Sequence, residues 1–436
     1  MPDNAFELPY GDTNVAFRLD GVGRCEALRA RPLPGLSDAR DAILDALRHP
    51  IASPPLREVV EPGNTVALLT PDISRVAHSR ICLPIIVEEL TAAGVREHDI
   101  TLIFARGTHR PHTEDEQKRL AGALWGRIRA LDHDPTESEN VLIGATSRGT
   151  PVRINPIVAA ADRVIGAGAI VYHCFAGFGG GRKIILPGVA SFDTVMANHK
   201  FTLNPGAGSG RNPAASTGVL RGNPVHEDME EAAAMVGPAF LFDVVVNDDH
   251  ELAGIFAGHW QEAHAAGVRF VESAYRVDIR EQADLVIASA GGYPKDINYY
   301  QAYKAVDNAA WAVRDGGAII LVAECRDGIG GHGGFEEWLR MGSSEAIERK
   351  LRERYEQVGQ AALDSRLQTE RLRIVVLSSL PDDDVRALHM IPARDPQEAL
   401  ALAVDTRPAA PREARANPGL TYVMPQGYVT FPVVGG

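Results

Sequence analysis

A chain of 436 residues exceeds the usual size of a single hydrophobic core, so two or more domains are expected. Its hydrophobic content of 45% and charged content of 23% are ordinary for a folded globular protein. The formal net charge of -13 argues against nucleic acid or an anionic membrane as the main partner, although a local basic pocket is compatible with it.

The cysteines and the N-terminal sequence indicate the cellular compartment of the protein. The four cysteines are far apart and form no C-x-x-C pair, which gives no sign of a disulfide framework or a structural zinc site. The chain begins without a basic start followed by an apolar run, and no apolar run elsewhere approaches the length of a membrane span. The sequence therefore predicts a cytoplasmic protein with no membrane partner.

The first polar residues of interest follow a buried strand. A hairpin is predicted over 6–19 and a helix over 38–47, and a strand over 65–69 then runs into Asp72 and Arg75. In an open α/β sheet, ligands bind just past the carboxyl ends of the strands. The plainer alternative is a capping aspartate and a surface arginine.

A second strand end repeats this pattern. A helix over 83–93 and a strand over 99–104 lead into the sequence GTHRPHT at 107–113. Successive strand ends that carry polar residues form the rim of a crevice in a parallel sheet. His109 is the candidate base, because an imidazole with a pKa of about 6.5 can take up a proton at physiological pH. A structural histidine is the alternative.

A third strand leads into a glycine-rich loop. The strand over 161–166 precedes His173 and the loop GFGGGRK at 177–183. Glycine lets main-chain N–H groups converge on an anion, yet Arg182 stands where both the P-loop and the dinucleotide fingerprint require glycine. Lys183 could be a phosphate clamp, a Schiff-base amine or a cofactor attachment point. Alternatively, the glycines only permit a tight turn.

The remainder of the first domain offers one more candidate. His199 follows a helical segment over 192–197, and its proximity to the glycine loop makes it a possible metal ligand, although a lone histidine is more often structural. Residues 204–223 have the composition of a long surface loop, which could serve as a lid. A helix over 225–236, a strand over 239–246 and a helix over 260–275 are then predicted.

A second α/β unit begins with a strand over 283–290. The helix that follows carries Tyr300, Gln301 and Lys304, and Tyr300 and Lys304 share a face because they are four residues apart. These side chains are suited to hold a carboxylate. The remaining elements are predicted as strands over 316–324 and 374–380 and helices over 343–355 and 396–403.

The predicted fold is α/β, with two domains that each contain a mostly parallel sheet flanked by helices, and with the active site in the cleft between them. The first domain covers 1–270 and binds the cofactor, and the second covers 276–405. A Pro- and Ala-rich linker is predicted over 407–415. The tail at 410–436 is expected to pack back on the first domain.

Several separated motifs together resemble one family, the nickel-pincer lactate racemases and their 2-hydroxyacid racemase and epimerase relatives. The motifs are D-x-S-R at 72–75, G-T-H-R-P-x-T at 107–113, F-A-G-F-x-G-G-x-K after His173, L-P-G at 186–188, N-H at 198–199, and G-G-Y-P with Y-Q-x-x-K within 291–304. Each motif is weak alone, but their joint order and spacing are specific. The resemblance spans nearly the whole chain.

The resemblance implies a cofactor, the nickel-pincer nucleotide, which is a pyridinium-3-thioamide-5-thiocarboxylic acid mononucleotide that binds Ni(II) through two sulfurs and a ring carbon. Lys183 is then expected to carry the covalent thioamide link, and His199 to supply the fourth, roughly square-planar ligand. The loop would face the phosphate of the nucleotide. Cofactor contacts are also implied for Asp72, Gly179, Gly180, Gly181 and Arg182.

The same resemblance implies a racemase or epimerase that inverts C2 of a 2-hydroxyacid. His109 and His173 look like two bases, one for each face of the substrate, that remove the hydroxyl proton as hydride leaves carbon. A planar 2-oxoacid forms, and return of hydride to the opposite face inverts the centre. The implied partners are a small 2-hydroxyacid and the proteins that make the cofactor. The implied substrate binders are Arg75, Tyr300, Gln301 and Lys304.

The chain departs from the family's motifs at two positions, and two other interpretations of its function remain. Ser74 stands where threonine is frequent, and Arg182 stands where a smaller or different residue is often seen, so Arg182 either contacts phosphate or lies at the surface. The chain could instead be a metal-dependent enzyme with a three-histidine site and no organic cofactor, or a noncatalytic binder of a phosphorylated or carboxylated metabolite. The three histidines of that site would be His109, His173 and His199.

Overall fold

The computed structural model describes residues 5–19, 23–331, 334–404 and 419–435. Its strands are β1 (Ala5–Tyr10), β2 (Thr13–Arg18), β3 (Arg24–Ala27), β4 (Val66–Pro71), β5 (Ile100–Ala105), β6 (Arg129–Asp132), β7 (Val141–Ala145), β8 (Pro151–Ile154), β9 (Arg163–Ala169), β10 (Tyr172–His173), β11 (Gly177–Phe178), β12 (Phe240–Val246), β13 (Leu252–Gly258), β14 (Arg276–Ile279), β15 (Ala283–Ser289), β16 (Val313–Val322), β17 (Arg373–Leu377), β18 (Ile391–Ala393), β19 (Leu420–Met424) and β20 (Phe431–Val434). The predicted linker at 407–415 lies outside the described residues.

The α-helices cover most of the segments between the strands. They are α1 (Ala39–Arg48), α2 (Leu56–Val59), α3 (Ser79–Ala92), α4 (Glu114–Ala121), α5 (Pro156–Ala160), α6 (Phe192–His199), α7 (Pro224–Val236), α8 (Trp260–Tyr275), α9 (Tyr299–Ala312), α10 (Phe335–Leu339), α11 (Ser344–Glu353), α12 (Gln357–Arg371), α13 (Asp382–Ala387) and α14 (Pro396–Val404). Within the described ranges, no helix combines the length and the apolar character that crossing a bilayer requires.

One compact unit, here called the N-terminal unit, consists of Pro32–Asn204 and Arg211–Ser273. Its main sheet has the strand order β13-β12-β9-β4-β5-β6, and every neighbouring pair is parallel except β12 with β13. The central strands are apolar runs because helices cover them. Leu68 of β4, Ile86 of α3 and Phe240 of β12 belong to one buried cluster.

The strand order of the N-terminal unit contains a switch point. From β4 the chain proceeds to β5 and β6 on one side of the sheet, whereas β9, β12 and β13 lie on the other side. Ligands of open α/β sheets bind outside the carboxyl ends of the strands at such a point. The segments that leave β4 and β9 carry Asp72 and His173, so the topology places both predicted site residues at the switch point.

The second compact unit, the C-terminal unit, consists of the described residues of 1–31, 205–210 and 274–436. Its main sheet has the order β18-β17-β16-β15-β19-β3, and all neighbouring pairs are parallel. The β1–β2 hairpin contributes Leu8 and Phe17 to the core of this sheet. The predicted α/β class, with two domains and mostly parallel sheets flanked by helices, is confirmed.

The C-terminal tail differs from its prediction. It was expected to pack on the first domain, but β19 pairs with β15 and with β3, inside the sheet of the C-terminal unit. The physical reason is that all five residues of β19 are buried, as a central strand requires, and β19 covers an edge of β15 that would otherwise be unpaired. The N-terminal segment, which the sequence assigned to the first domain, joins the same sheet through β3.

Candidate active site

Asp72 and His109 form a hydrogen-bonded pair at the ends of β4 and β5. His109 Nδ1 lies 2.5 Å from Asp72 Oδ2. The other carboxylate oxygen accepts the Ser74 N–H at 2.7 Å and the Ser74 hydroxyl. A carboxylate that accepts from Nδ1 leaves Nε2 as the nitrogen with the lone pair. The pair therefore orients an imidazole whose side chain is 40% exposed.

The carboxylate of Asp72 is ionised. Burial alone would raise its pKa, but the hydrogen bonds from His109 and Ser74 and the charge of Arg75 hold the pKa well below its usual range. An anion therefore lies beside His109 at any pH near neutrality. It can stabilise the imidazolium that forms when His109 accepts a proton.

The loop that carries His109 is attached to the glycine-loop region. The Gly107 N–H donates to the Gly188 carbonyl at 2.9 Å, and the Arg106 guanidinium donates to the His109 carbonyl. Gly107 has φ of +53°, and a Cβ there would lie 3.2 Å from the Pro187 carbonyl oxygen. Glycine therefore permits both the conformation and the close approach.

His112, within the same motif, has a structural role that the sequence did not reveal. Its side chain is buried, with Nδ1 2.7 Å from Asp132 Oδ1 and Nε2 accepting the Ile73 N–H at 3.1 Å. It connects the loop after β4 to β6. The position of Asp72 therefore depends on a second carboxylate–histidine pair beneath it.

Three predicted site residues converge on the ring of Phe175. The ring centroid of Phe175 lies 4.5 Å from that of His173 and 4.9 Å from that of His199, and the Lys183 ammonium nitrogen is 5.6 Å from it. His173 follows β9, Lys183 lies in the glycine loop and His199 ends α6. The fold thus gathers residues from three separate segments around one aromatic side chain.

The ionisation of this cluster is strongly shifted. Although part of Lys183 reaches solvent, it lies deep among protein atoms, and lost hydration together with the charges of Arg182 and Arg75 lowers its pKa well below the usual value. Burial, with the charge of Lys183, likewise lowers the pKa of His173, and lowers that of His199 to about 3. Burial thus favours neutral histidines and moves Lys183 toward the uncharged amine, and neutral nitrogens of this kind act as nucleophiles or ligands.

A buried hydrogen-bond chain lies behind His199. Its Nδ1 is 3.1 Å from Asn198 Oδ1, and Asn198 Nδ2 donates to Asp228 Oδ2 at 2.8 Å. Asp228 also accepts from Thr146 Oγ1 at 2.5 Å and from Thr150 Oγ1 at 2.9 Å. Such outer partners orient metal-binding histidines in proteins. With Nδ1 as the donor, Nε2 is the nitrogen that carries the lone pair.

Arg75 connects the two clusters electrostatically. Its positive charge lowers the pKa of Asp72 and contributes to the lowered pKa values of His173 and Lys183. The exposed guanidinium of Arg75 therefore influences the ionisation of Asp72 and of the cluster on Phe175 alike.

The glycines of the loop are required by what lies beneath them. Gly180 and Gly181 have φ of +72° and +55°, and a Cβ would lie 2.5 Å from Asp243 Oδ2 in the first case and 2.6 Å from His264 Cγ in the second. The Gly181 N–H donates to Asp243 Oδ2, and the Gly179 N–H donates to the Val171 carbonyl, both at 2.7 Å. These two N–H groups therefore bind protein acceptors, and contact of the loop with a phosphate stays a prediction.

Arg182 is buried, so the predicted surface position is wrong. It is 1% exposed, its Nη2 donates to the Ala176 carbonyl at 2.6 Å, and its Nη1 is 3.2 Å from His264 Nε2. His264 Nε2 is also 2.9 Å from the Gly179 carbonyl. Burial lowers the pKa of Arg182 to about 10. The guanidinium of Arg182 therefore binds the glycine loop from its buried side.

The predicted substrate-binding residues of the C-terminal unit lie on α9. Asn298 caps this helix by accepting the Gln301 N–H at 3.0 Å. The Lys304 ammonium donates to Gln301 Oε1 at 3.0 Å and to the Tyr428 hydroxyl at 2.8 Å. Tyr300 packs edge-on against Phe335, with ring centroids 4.9 Å apart. The structure therefore brings Gln301 and Lys304 together and gives Tyr300 an apolar neighbour.

Several residues that support the predicted site residues were not themselves predicted from the sequence, namely Phe175, Asp228, Asp243, His264 and Tyr428. One signal was available, because an aspartate inside the apolar strand sequence FLFDVVV must be buried. Nothing in the sequence distinguishes Tyr428. Across the described ranges, no cluster of three or more His, Cys, Asp or Glu side chains is arranged to hold a metal ion. The three-histidine interpretation therefore has no support there.

The fold and the site define a two-domain α/β protein in which one lysine and two histidines surround an aromatic ring at a switch point of the N-terminal sheet. Residues 10–210 match the model of the lactate racemase N-terminal domain, and residues 279–418 match that of the C-terminal domain. The chain is 35% identical over 410 residues to the lactate racemase of Thermoanaerobacterium thermosaccharolyticum, which covers 91% of this chain and 93% of that protein. The chain belongs to the lactate racemase family and is an isomerase of the racemase type.

Further comparisons agree with this assignment. The lactate racemase of Lactiplantibacillus plantarum is 35% identical over 334 residues, covering 76% of this chain and 77% of that protein. The solved structure of the lactate racemase apoprotein from T. thermosaccharolyticum gives a TM-score of 0.85 at 32% identity, covering 98% of this chain and all of that one. A protein from Thermotoga maritima, with a TM-score of 0.62 at 15% identity, shares the fold.

Proposed function

We propose that this racemase inverts C2 of a small 2-hydroxyacid, and that lactate is the first substrate to test because both curated relatives are lactate racemases. The observation that carries the proposal is the convergence of His173, Lys183 and His199 on the ring of Phe175. A plain binding protein has no need for an uncharged lysine amine beside two neutral imidazoles. A racemase that attaches a cofactor and moves a proton needs all three.

We also propose the nickel-pincer nucleotide as its cofactor, and the chain's own residues fit that group. The lowered pKa of Lys183 makes its amine available for a covalent link, and the bond of His199 Nδ1 to Asn198 directs Nε2 to a metal. Lys183 would carry the link and His199 would be a nickel ligand. When bound, the group supplies a site that accepts hydride from the substrate carbon and returns it.

In this proposal His109 and His173 move the hydroxyl proton. Asp72 holds His109 through Nδ1, so Nε2 accepts the proton, and the carboxylate balances the charge that results. The lowered pKa of His173 keeps its imidazole neutral before the reaction. When His173 is the base, His109 starts the turnover protonated. One imidazole thus takes the hydroxyl proton, and the other, already protonated, returns a proton to the same oxygen from the opposite side as C2 is inverted. Both directions of the racemisation then use the same two groups in exchanged roles.

Arg75 and Lys304 are proposed to hold the carboxylate and carbonyl oxygens of the substrate, with Tyr300 and Gln301 beside them. A guanidinium and an ammonium provide this binding on a chain whose net charge of -13 would otherwise repel an anion. Binding of one substrate molecule by all of these residues is part of the proposal. We further propose that the enzyme works in the cytoplasm and receives its cofactor from dedicated biosynthetic proteins.

The test combines mass and optical rotation. Protein from a host that makes the nucleotide is expected to carry an adduct on Lys183, and to racemise at least one acid from a panel of single-enantiomer 2-hydroxyacids. His109→Ala and His173→Ala are each expected to remove activity while the adduct and the unfolding midpoint remain. An active double variant refutes the two bases. Metal-dependent activity without an adduct favours a plain metal enzyme, and ligand binding without inversion favours a noncatalytic binder.

A further inference from the structure

The C-terminal unit also has a switch point, and the tail reaches it. The chain runs from β15 through β16 and β17 to β18 on one side of the sheet, whereas β19 pairs with β15 on the other side. Ligand-binding residues of open parallel sheets lie past the carboxyl ends of the two strands at this point. Lys304 is on the helix that follows β15, and Tyr428 is in the turn that follows β19.

Tyr428 makes two kinds of contact with Lys304. Its hydroxyl accepts a hydrogen bond from the ammonium at 2.8 Å, and the ammonium lies 4.7 Å from the centroid of its ring. Gln301 Oε1 accepts a second hydrogen bond from the ammonium at 3.0 Å. An ammonium has three N–H donors, so these two acceptors leave one donor for a further oxygen.

The turn that carries Tyr428 is held independently of Lys304. Asn308 Nδ2 donates to the carbonyls of Gly427 and Tyr428 at 2.8 and 3.1 Å, and the Gly427 N–H donates to the Ser289 carbonyl at 2.8 Å. A Cβ at Gly427 would lie 2.9 Å from the Ser289 carbonyl oxygen, so the turn packs closely on β15. Tyr428 is therefore a fixed acceptor, whereas lysine has a flexible four-carbon stem.

We propose that Tyr428 is a positioning residue for Lys304 in the racemisation. It fixes the ammonium so that the third N–H is directed at a carboxylate or carbonyl oxygen of the 2-hydroxyacid, in place of being distributed over several rotamers. The inference rests on the proposed role of Lys304 in substrate binding. It adds that the C-terminal tail, which has no predicted site residue, contributes to substrate affinity.

The test is Tyr428→Phe in the cofactor-loaded full chain, because phenylalanine keeps the ring and removes only the hydroxyl. We expect KM for lactate, or for the best acid of the panel, to rise about tenfold with kcat within about twofold. The matched control is Tyr422→Phe, since its hydroxyl donates to the Glu281 carbonyl at 2.9 Å in the same tail. That variant is expected to keep the wild-type KM. Thermal unfolding of both variants identifies any general loss of stability.

A double-mutant cycle separates this inference from the proposed function. Lys304→Met is expected to raise KM by at least tenfold, and Tyr428→Phe is expected to add nothing further in the Lys304→Met background. If Tyr428→Phe alone leaves KM within twofold, or raises it equally in both backgrounds, the positioning role is overturned while substrate binding by Lys304 stands. If Lys304→Met leaves both KM and the calorimetric Kd for the acid unchanged, the proposed binding role of Lys304 fails, and this inference fails with it.

Discussion

Lys183 and Lys304 each lie near an aromatic ring at a switch point of a parallel sheet, but their surroundings differ. Lys183 is beside Phe175, and the nearby charges of Arg182 and Arg75 repel a proton on its amine. Lys304 is beside Tyr428 and donates to two oxygen acceptors. Lost hydration and cationic neighbours favour the neutral amine of Lys183, whereas Lys304 is held in place by two oxygen acceptors.

This difference shows how one residue type serves two chemical purposes. A neutral amine forms covalent bonds, so the environment of Lys183 suits attachment of a cofactor. An ammonium in a fixed position binds an anion, so the environment of Lys304 suits a carboxylate. In the N-terminal unit Asp228 supports His199 through Asn198, and Asp243 and His264 separately support the glycine loop. The C-terminal unit uses a helix and a short turn.

The largest effect is expected from Lys183→Ala. Because the covalent link is proposed to depend on this amine, racemisation should fall by at least about 10⁴-fold, and the mass adduct should disappear. Lys304→Met should retain measurable turnover at saturating substrate. The unfolding midpoint of Lys183→Ala should not fall, because the variant removes a desolvated amine. Comparable losses of kcat in Lys183→Ala and Lys304→Met would contradict the separate roles proposed for the two lysines.

The second prediction concerns the packing beneath the glycine loop. Gly181→Ala should destabilise the protein by about 2–4 kcal/mol, because a Cβ at φ of +55° would also meet His264 Cγ at 2.6 Å. Gly222→Ala is the matched control, since Gly222 has φ of +78° and no heavy atom lies within 4 Å of the position that an added Cβ would take. It should cost only about 1–2 kcal/mol. Urea unfolding measures both, and equal losses would show that the contact with His264 is unimportant.

How much of the site was predictable depends on the kind of contact involved. Strand-end position predicted Asp72 and His109 as rim residues, and helical spacing predicted Lys304 as a carboxylate binder, because those signals are local in sequence. The support from Asp243 to Gly181 spans 62 residues and that from Tyr428 to Lys304 spans 124, and no local pattern encodes such pairings. The tail was misassigned for the same reason, since an apolar strand fits either parallel sheet until its partner is known.

The third prediction tests the chain of hydrogen bonds behind His199. In the wild type the hydroxyls of Thr146 and Thr150 donate to the Asp228 carboxylate. Asp228→Asn turns an amide N–H donor toward one of these hydroxyls. Nickel retained per cofactor should fall, with a loss of about 10- to 100-fold in metal affinity, because His199 is less firmly oriented. Metal content after dialysis measures this. Glu227→Gln, one residue away and paired with Arg148 at the surface, is the control and should retain its nickel.

The smallest expected effect is the pH dependence of stability due to Asp243. Burial raises the pKa of this carboxyl from 3.8 to about 7, against the opposing influence of the Gly181 N–H and of Arg182. A folded-state pKa above the unfolded value means that the folded protein binds the extra proton. The resulting stabilisation is complete below about pH 4 and is lost as the pH rises through about 7.

Asp243→Asn cannot titrate and keeps an oxygen to accept the Gly181 N–H. The unfolding free energy of the wild type minus that of Asp243→Asn should therefore decrease between pH 5 and 8, by about 1 kcal/mol or more, since one pKa unit corresponds to about 1.4 kcal/mol. Burial lowers the pKa of His264 to about 3, which gives the unfolding free energy a pH dependence of the opposite sign. That dependence is the same in both proteins, so it cancels when one free energy is subtracted from the other. Asp162→Asn is the control. Hydrogen bonds from Thr65 lower the pKa of Asp162, so the unfolding free energy of the wild type minus that of Asp162→Asn should stay constant between pH 5 and 8. A constant difference for Asp243 would show that its carboxylate is ionised throughout, and that the loop over it is held by charge.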